Sequence, residues 1–172
     1  MDKKILKKAY DLGFTYEQEH GNCAQCTFAA VQDAFGEPND DVFKAAEGFG
    51  AGSGRMGTGN CGAYSGGILA ISLKFGRTRQ DFEAGKSSGP IPSQELNREL
   101  HNKFVAEYGC VICNDIRTKL FGRTFNLWDP KEREEFEKAG AHDVPPYHCP
   151  TVVGKAAQWT AEILLKAEKS KK

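Results

Sequence analysis

CGAYSGGILAISLKF, residues 61–75, is the stretch of sequence that decides the fold. It follows Asn60 and stops before Gly76, and a glycine after a periodic segment is a typical helix end. Apolar side chains recur at steps of three and four along one helical stripe, formed by Cys61, Tyr64, Ile68, Ile71 and Phe75. The stretch therefore predicts a helix that begins at a cysteine and turns that cysteine toward the core.

Three further cysteines stand at the start of similar apolar runs. Cys23 follows Asn22, Cys113 precedes an Asn-Asp pair, and Cys149 precedes a Pro-Thr pair. A helix N-terminus carries unpaired N–H groups and a partial positive charge, so we expect it to stabilise a thiolate and lower the thiol pKa. Four such thiolates brought to one point predict an anionic metal or cluster site.

The rest of the chain is predicted to be helical as well. Start and stop signals and helical periodicity predict helices over residues 4–12, 22–35, 41–47, 61–75, 93–108, 112–121, 129–139 and 149–167. No segment shows the sustained alternation of a strand. We expect an all-α fold, a single-domain bundle of about six to seven helices over residues 1–172. Residues 48–60 form a glycine-rich loop at the cysteine site, 77–92 a polar loop, and 166–172 a solvated basic tail.

The composition narrows the functional classes. Lys+Arg and Asp+Glu both number 23, so the net charge is zero, which argues against nucleic-acid binding and against binding to an anionic membrane. No apolar stretch is long enough to span a bilayer and no signal peptide is recognised. We therefore expect a cytoplasmic protein. Six cysteines in such a chain favour metal binding or redox chemistry over a disulfide framework.

Glycines surround the decisive cysteine on both sides. Gly62, Gly66 and Ala70 form a small-residue stripe, which predicts close packing of another helix and also lets the backbone at Gly62 approach a cofactor. The preceding loop has a GxGxxG match at Gly52, Gly54 and Gly57. Because the loop follows a helix and not a strand, a dinucleotide site is not expected. We predict instead a nest of N–H groups around an anionic cluster.

Two CxxC units leave alternatives open. Cys23 is paired with Cys26, and Cys110 with Cys113. Such units occur in structural zinc sites, and Cys26 and Cys110 could instead act as resolving thiols of a thiol–disulfide oxidoreductase. Neither unit is followed by histidine, so covalent c-type haem is excluded.

The remaining polar candidates are interpreted as structural. His20 and His148 lie near Cys23 and Cys149 and could ligate or tune a metal, but surface or capping roles are favoured. The acidic residues between 132 and 137 are interpreted as the solvated face of a helix.

The segment from Cys61 to Gly66 reads CGAYSG, and together with Cys23, Cys113 and Cys149 in this order it resembles the C_GCAxxG_C_C family of redox proteins. The resemblance extends from about residue 10 to 165. The cysteine pattern of this family is similar to the iron–sulfur part of split-Soret cytochromes. The resemblance therefore implies a [2Fe–2S] cluster and a homodimer.

On this resemblance, the cluster ligands are expected to be Cys23, Cys61, Cys113 and Cys149, with Gly57 and Gly62 at the cofactor and Cys26 and Cys110 as possible substitutes. The expected function is one-electron transfer to or from a redox partner protein. A thiol–disulfide oxidoreductase and a zinc-binding module remain the alternatives.

Overall fold

A computed structural model describes residues 2–86 and 93–170. In this part of the chain every regular element is helical. The helices are α1 Lys3–His20, α2 Cys23–Phe35, α3 Asp40–Ala46, α4 Gly62–Phe75, α5 Arg79–Glu83, α6 Ser93–Tyr108, α7 Cys113–Phe121, α8 Pro130–Lys138 and α9 His148–Ser170. A single 3₁₀ turn at Glu47–Phe49 follows α3. The all-α prediction is confirmed, although the helices outnumber the six to seven expected.

Side-chain caps explain where several helices begin. Asn22 accepts the Gln25 N–H at the start of α2, and Asn39 accepts the Val42 N–H at the start of α3. Asp129 caps α8, whose first residue is Pro130. These contacts satisfy N–H groups that a helix start leaves without partners. The predicted starts of these three helices are therefore within one residue of the observed ones.

The core lies between α1, α2, α4, α6 and α9. Its largest fully buried side chains come from four of these helices and include Phe28, Ile71, Phe104 and Ile163. The stripe that starts at Cys61 faces this core, because Tyr64, Ile71 and Phe75 are buried and Ile68 packs against them. A smaller cluster lies beside the main core and contains Phe125, Leu127, Phe136 and Ala141.

Helix α1 is twice as long as predicted. It runs to His20, whereas the prediction ended it at residue 12, before Gly13. Gly13 does not end the helix, because it lies where α1 crosses α9. A Cβ atom at this position would come within 3.1 Å of the Ala157 Cβ and within 3.3 Å of the Gly154 Cα. The glycine therefore permits a close helix crossing, and the second half of α1 continues to the functional site.

Two predicted irregular segments contain helix. The polar loop predicted over residues 77–92 includes α5, which starts with a capping box between Thr78 and Asp81. Residues 87–92 of that loop lie outside the described residues. The predicted basic tail is helical as far as Ser170, with Ala167 buried, and its last residues, 171–172, lie outside the described residues too.

The small-residue stripe of α4 packs against α2, as predicted. A Cβ atom on Gly66 would overlap the carbonyl oxygen of Ala24. This approach brings the starts of α2 and α4 together, and with them Cys23 and Cys61. None of the helices in the described ranges is both long and apolar enough to cross a membrane.

Candidate functional site

A cavity of about 880 Å³ opens at the end of the bundle where α2, α4, α7 and α9 begin. Its wall includes four cysteines, which are Cys23, Cys61, Cys113 and Cys149. We call these the cavity cysteines. Each one lies at a helix start, either within the first two residues or, for Cys61, at the cap position. The predicted placement of all four cysteines at helix starts is confirmed.

Cys23 is held at the cavity by its capping neighbour. Asn22 adopts a left-handed backbone conformation (φ 65°) and its Nδ2 atom donates to the Glu47 carbonyl, 3.1 Å away. This bond ties the start of α2 to the beginning of the glycine-rich loop. The Ala51 N–H of that loop lies 3.5 Å from the Cys23 sulfur and donates to it.

Cys61 and Cys113 are brought together by a short backbone ladder. The Cys61 N–H donates to Val111 O at 2.7 Å, and the Cys113 N–H donates to Gly59 O at 3.0 Å. Asn60 and Ile112 form an isolated antiparallel bridge between these bonds. These bonds join the segment before α4 to the segment before α7. The sulfurs of Cys61 and Cys113 therefore line the cavity from two adjacent segments of the chain.

Cys149 enters from a third direction. The N–H groups at the start of α9 donate to the segment after α8: His148 N to Gly140 O at 2.9 Å and Cys149 N to Ala141 O at 3.1 Å. The next residue in that segment is His142, which also lines the cavity. The ladder of bonds therefore places a histidine beside the fourth cysteine.

Gly57 and Gly62, both expected at the cofactor, have different surroundings. A Cβ atom on Gly62 would overlap the Cys23 sulfur, so the backbone of α4 closely approaches a cavity cysteine. Gly57 does not line the cavity. It has φ +76°, its carbonyl accepts from the Asn114 N–H, and a Cβ atom there would overlap the Asn114 side chain. Its structural role is to seat the loop against α7.

The glycine-rich loop is not the open nest that was predicted. Its N–H groups at Gly54, Gly57 and Gly59 donate to carbonyls of the 48–52 segment, at distances between 2.9 and 3.1 Å. Because these donors are used inside the loop, they do not point at the cavity. The N–H group of Ala51, in contrast, donates to the Cys23 sulfur.

The predicted lowering of the thiol pKa is wrong for three cavity cysteines. Burial raises the pKa of Cys23 and of Cys61. The Glu17 carboxylate and neighbouring thiolates raise the pKa of Cys23 further, and neighbouring thiolates that of Cys61. Burial also raises the pKa of Cys113 to about 11, against the smaller opposing effect of Arg117. Desolvation of a charge and repulsion between thiolates outweigh the helix N-termini here.

Buried positive charge lies at the same cavity. Arg117 is 5% exposed, with its guanidinium 5.0 Å from the centre of the Phe136 ring and an NH1 bond to Phe125 O at 3.5 Å. Arg55 and Arg133 line the cavity nearer its surface. A buried cation beside four sulfurs would offset part of the charge of bound thiolates.

The separation of the sulfurs restricts the metals that the site can hold. In a tetrahedral zinc site all four sulfurs lie about 3.8 Å apart, because each Zn–S bond is about 2.3 Å. Among the described residues, no three cysteine sulfurs lie within 4.8 Å of one another. A mononuclear centre built from the cavity cysteines would therefore require them to move closer.

The family comparison agrees with this arrangement of cysteines. A family model described as "Putative redox-active protein (C_GCAxxG_C_C)" matches residues 21–163. The chain belongs to the C_GCAxxG_C_C family. Neither the comparison with curated proteins nor that with solved structures found a match. The family match supports a redox role, and the matched range contains all four cavity cysteines.

The two cysteines outside the family's four-cysteine pattern do not line the cavity. Cys26 is 3% exposed and its Sγ atom donates to the Gly21 carbonyl at 2.8 Å. Cys110 is partly exposed, and its sulfur lies 3.9 Å from the Ile112 carbonyl. We call these two the non-cavity cysteines. The structure thus separates the members of each CxxC unit.

Sequence reasoning did not single out Glu17 or His142 as site residues. Glu17 is 3% exposed and its Oε1 lies 3.3 Å from His142 Nε2. It occupies the same face of α1 as Ala9 and Gly13, at steps of four, so a helix continued past Gly13 would have predicted it. His142 follows no motif and comes to the site through the bonds at the start of α9.

Other polar predictions have mixed outcomes. His20 is exposed beside Glu19, in line with a surface position, although it also lines the cavity. The His148 ring packs edge-on against Phe121 at 4.4 Å, a packing contact that the prediction of a surface or capping role did not include. The acidic face of α8 is not wholly solvated. Glu132 and Glu135 pair with Arg123, and Glu137 accepts from His142 Nδ1 at 2.9 Å.

Proposed function

We propose that this protein is a one-electron carrier that holds a [2Fe–2S] cluster through Cys23, Cys61, Cys113 and Cys149. Such a cluster is bound by four cysteine thiolates and supplies one-electron redox chemistry. The protein's contribution is to hold four sulfurs on separate rigid elements and to surround them with suitable charge and hydrogen-bond donors.

One observation carries the proposal. Four sulfurs from four different helix starts line one cavity, yet no three of them in the described ranges lie within 4.8 Å. A two-iron cluster takes its thiolates as two separated pairs, whereas zinc gathers all four around one point. The spread of the cavity cysteines therefore favours the larger centre over a zinc module.

The charges and donors around the cavity also suit an anionic cluster. With four thiolates an oxidised [2Fe–2S] centre carries a net charge of about −2. Arg117 and four helix N-termini supply opposing charge. Hydrogen bonds from the N–H groups of Ala51, Ala63 and Tyr64 offset part of the rise in thiol pKa that burial causes at Cys23 and Cys61. Donors to sulfur also raise a cluster's reduction potential.

The thiol–disulfide alternative has less support. Fast exchange requires an accessible thiolate, whereas burial raises the pKa of Cys23 and of Cys113. The resolving thiol proposed for Cys23 would be Cys26, but its sulfur is buried and donates to a backbone carbonyl. The structure has all six cysteines unpaired, which suits a reducing compartment such as the cytoplasm.

We propose that a redox partner protein approaches beside the glycine-rich loop. Phe49 and Met56 of this segment are exposed, and Trp128 is 66% exposed with its Nε1 atom bonded to Gly54 O at 3.2 Å. Large exposed apolar side chains are typical of protein contacts, and of these three Trp128 lines the cavity. A homodimer stays part of the proposal, and sedimentation of the reconstituted protein would test it.

The Cys23-Ala-Gln-Cys26 unit offers a matched test. Purified protein would be reconstituted anaerobically with iron and sulfide, desalted, and assayed for both elements and for visible absorbance. We expect Cys23→Ser to lose most of the bound iron and sulfide, and Cys26→Ser to retain wild-type amounts. The loaded wild type should show a one-electron transition in a potentiometric titration.

Two results would count against the proposal. Wild-type protein that binds no iron and sulfide under these conditions would exclude the cluster. Equal loading of the Cys23→Ser and wild-type proteins would show that the ligand set is wrong, provided that circular dichroism shows both proteins to be folded.

A further inference from the structure

Glu17, His142 and Cys149 form a compact group at one side of the cavity. Their ligand atoms all lie within 4.8 Å of one another, and no other such group of three occurs in residues 2–86 and 93–170. The three residues come from α1, the segment before α9, and α9 itself. All three line the cavity. One oxygen, one nitrogen and one sulfur therefore converge where solvent or a ligand can enter.

Glu17 is the unusual member of the group. It is 3% exposed, and its Oε2 atom has no hydrogen-bond partner of ordinary geometry, although the Cys26 thiol interacts with the carboxylate. A buried carboxylate oxygen without a partner costs free energy, so such an atom at a cavity wall points to a ligand. His142 contacts the other oxygen, Oε1, through its Nε2 atom.

His142 is oriented as a metal-bound histidine usually is. Its Nδ1 atom is 2.9 Å from both carboxylate oxygens of Glu137, and its Nε2 atom faces Glu17. A carboxylate on the far nitrogen fixes the ring of a metal-bound imidazole and increases its basicity. Glu137 therefore fills the position of the supporting carboxylate, and Nε2 is the atom left for a metal.

We propose that Glu17, His142 and Cys149 form a mononuclear site for a borderline divalent cation such as Zn²⁺ or Fe²⁺. Carboxylate, imidazole and thiolate are all ligands of such ions. In a tetrahedral site the oxygen and nitrogen ligands lie about 3.4 Å apart. The 3.3 Å between Glu17 Oε1 and His142 Nε2 already has this value.

Because all three ligands line the cavity, a fourth coordination position would be open to it. Three protein ligands with one open position are typical of catalytic zinc sites, whereas structural sites are closed by four. Binding replaces the thiol proton of Cys149 and any proton on His142 Nε2, both of which pass to solvent. The site would thus take a cation together with a water molecule or a small anionic ligand.

The cation site shares Cys149 with the proposed cluster. This part of the inference rests on the proposed function, and it takes Cys149 as a terminal ligand of each centre, for which the two centres compete. Cation and cluster should therefore exclude each other. The cation site itself does not depend on the cluster, since Glu17 and His142 belong to neither the cluster ligands nor their CxxC partners.

An ion pair is the competing explanation for the same contacts. Although burial opposes its charge, hydrogen bonds with Cys149, Glu137 and Glu17 raise the pKa of His142 to about 12. A protonated His142 between the carboxylates of Glu17 and Glu137 would explain the contact between its Nε2 atom and Glu17 Oε1. The ion pair predicts no tight binding of Co²⁺ by the metal-free protein, whereas the proposed site predicts it.

Cobalt is the probe that tests the site, because Co²⁺ occupies zinc sites and reports thiolate ligation by a charge-transfer band. Reduced, cluster-free protein would be titrated anaerobically with Co²⁺ alone. We expect about one tightly bound Co²⁺ per chain and a near-ultraviolet sulfur band. Glu17→Gln and His142→Gln should each lower the affinity by more than about tenfold, and Cys149→Ser should lose the sulfur band.

Asp11→Asn is the matched control, because Asp11 lies on the same helix, is exposed and pairs with Lys7. It should bind Co²⁺ as the wild type does. His142→Gln keeps the test valid if Glu17→Gln fails to fold, since His142 is on a surface segment. Wild-type affinity in Glu17→Gln or His142→Gln would overturn the site, and so would a wild type that does not bind Co²⁺.

Iron and sulfide loading separates this inference from the proposed function. After cluster reconstitution, Glu17→Gln should hold as much iron and sulfide as the wild type. Wild-type protein first loaded with Zn²⁺ should take up less cluster than the metal-free protein. If Co²⁺ binds as expected and no cluster forms, the cation site stands and the cluster fails. If the cluster forms and Co²⁺ does not bind, the cation site is wrong and the proposed function stands.

Discussion

The two CxxC units have the same spacing and the opposite arrangement. In the first unit the leading cysteine, Cys23, begins a helix and faces the cavity, while Cys26 lies one turn later and binds a backbone carbonyl. In the second unit the trailing cysteine, Cys113, begins a helix and faces the cavity, while Cys110 precedes the helix. The comparison teaches that the helix start, not the order within the motif, selects the sulfur that faces the site.

The largest expected effect is the loss of the bound cluster when the cavity cysteine of the second CxxC unit is replaced. Cys113→Ser should retain less than about a tenth of the wild-type iron and sulfide, because it removes one of four thiolate ligands. Cys110→Ser should load normally, since Cys110 does not line the cavity. Parallel reconstitution of both variants, followed by metal analysis, measures the difference. Equal loading of the two variants would break the comparison.

Thiol reactivity should show the next largest effect. Burial raises the pKa of Cys113 from about 9 to about 11, so the metal-free protein at pH 8 holds about a hundredfold less Cys113 thiolate than an unperturbed thiol would. We expect the alkylation rate at Cys113 to be slow and to rise about tenfold per pH unit up to about pH 11. The alkylation rate at Cys113 would be measured by mass spectrometry of iodoacetamide-treated Cys110→Ser protein, in which the partly exposed Cys110 thiol is absent.

The same shift predicts a loss of stability at high pH. A thiol that is harder to ionise when folded favours the folded state below its unfolded pKa, near 9, and this contribution is lost as pH rises toward 11. Urea unfolding of reduced, metal-free protein should therefore show falling stability between pH 9 and 11. A Cys113→Ala variant should show a smaller fall.

Replacing Gly62, which lies against Cys23, by alanine should have an intermediate effect on stability and on iron loading. A Cβ atom on Gly62 would overlap the Cys23 sulfur, so Gly62→Ala should displace that ligand and destabilise the fold by about 1–3 kcal/mol. Gly48→Ala is the control, because nothing lies within 4 Å of a Cβ atom there. Urea unfolding and iron loading would compare the two variants, and equal results would show that the approach of α4 to Cys23 is unimportant.

The smallest expected difference concerns the non-cavity cysteines themselves. Cys26→Ala should cost about 1 kcal/mol, because it removes a buried sulfur that donates to Gly21 O. Cys110→Ala should change the free energy of unfolding by less than about 0.5 kcal/mol, since Cys110 is partly exposed. Denaturation of both variants in the reduced, cluster-free state tests this.

Local sequence signals predicted the helices and the cavity cysteines well. Asn22 and Asn60 mark two of the helix starts, and helical periodicity directs Cys61 to the same side as Tyr64 and Ile71. These features depend on neighbours in sequence, which is why single-sequence reasoning reaches them. The choice of Cys23 and Cys113 over Cys26 and Cys110 rested on their place at predicted helix starts and on the family resemblance, and the structure places the chosen pair at the cavity.

Features that depend on packing were missed. Gly13 was taken as a helix end, but the close crossing with Gly154 allows α1 to continue and brings Glu17 to the cavity. His142 reaches Glu17 only through the bonds that tie the start of α9 to residues 140–141. Likewise, the raised thiol pKa values follow from burial, which a sequence does not display.

The central claim is that the cavity cysteines bind an iron–sulfur cluster. Its most direct test is the iron and acid-labile sulfide content of wild-type protein purified anaerobically, with both elements assayed on one sample. The account predicts about two of each per chain, together with visible absorbance that bleaches on reduction. Protein that contains neither element, and gains neither during reconstitution with iron and sulfide, would contradict it.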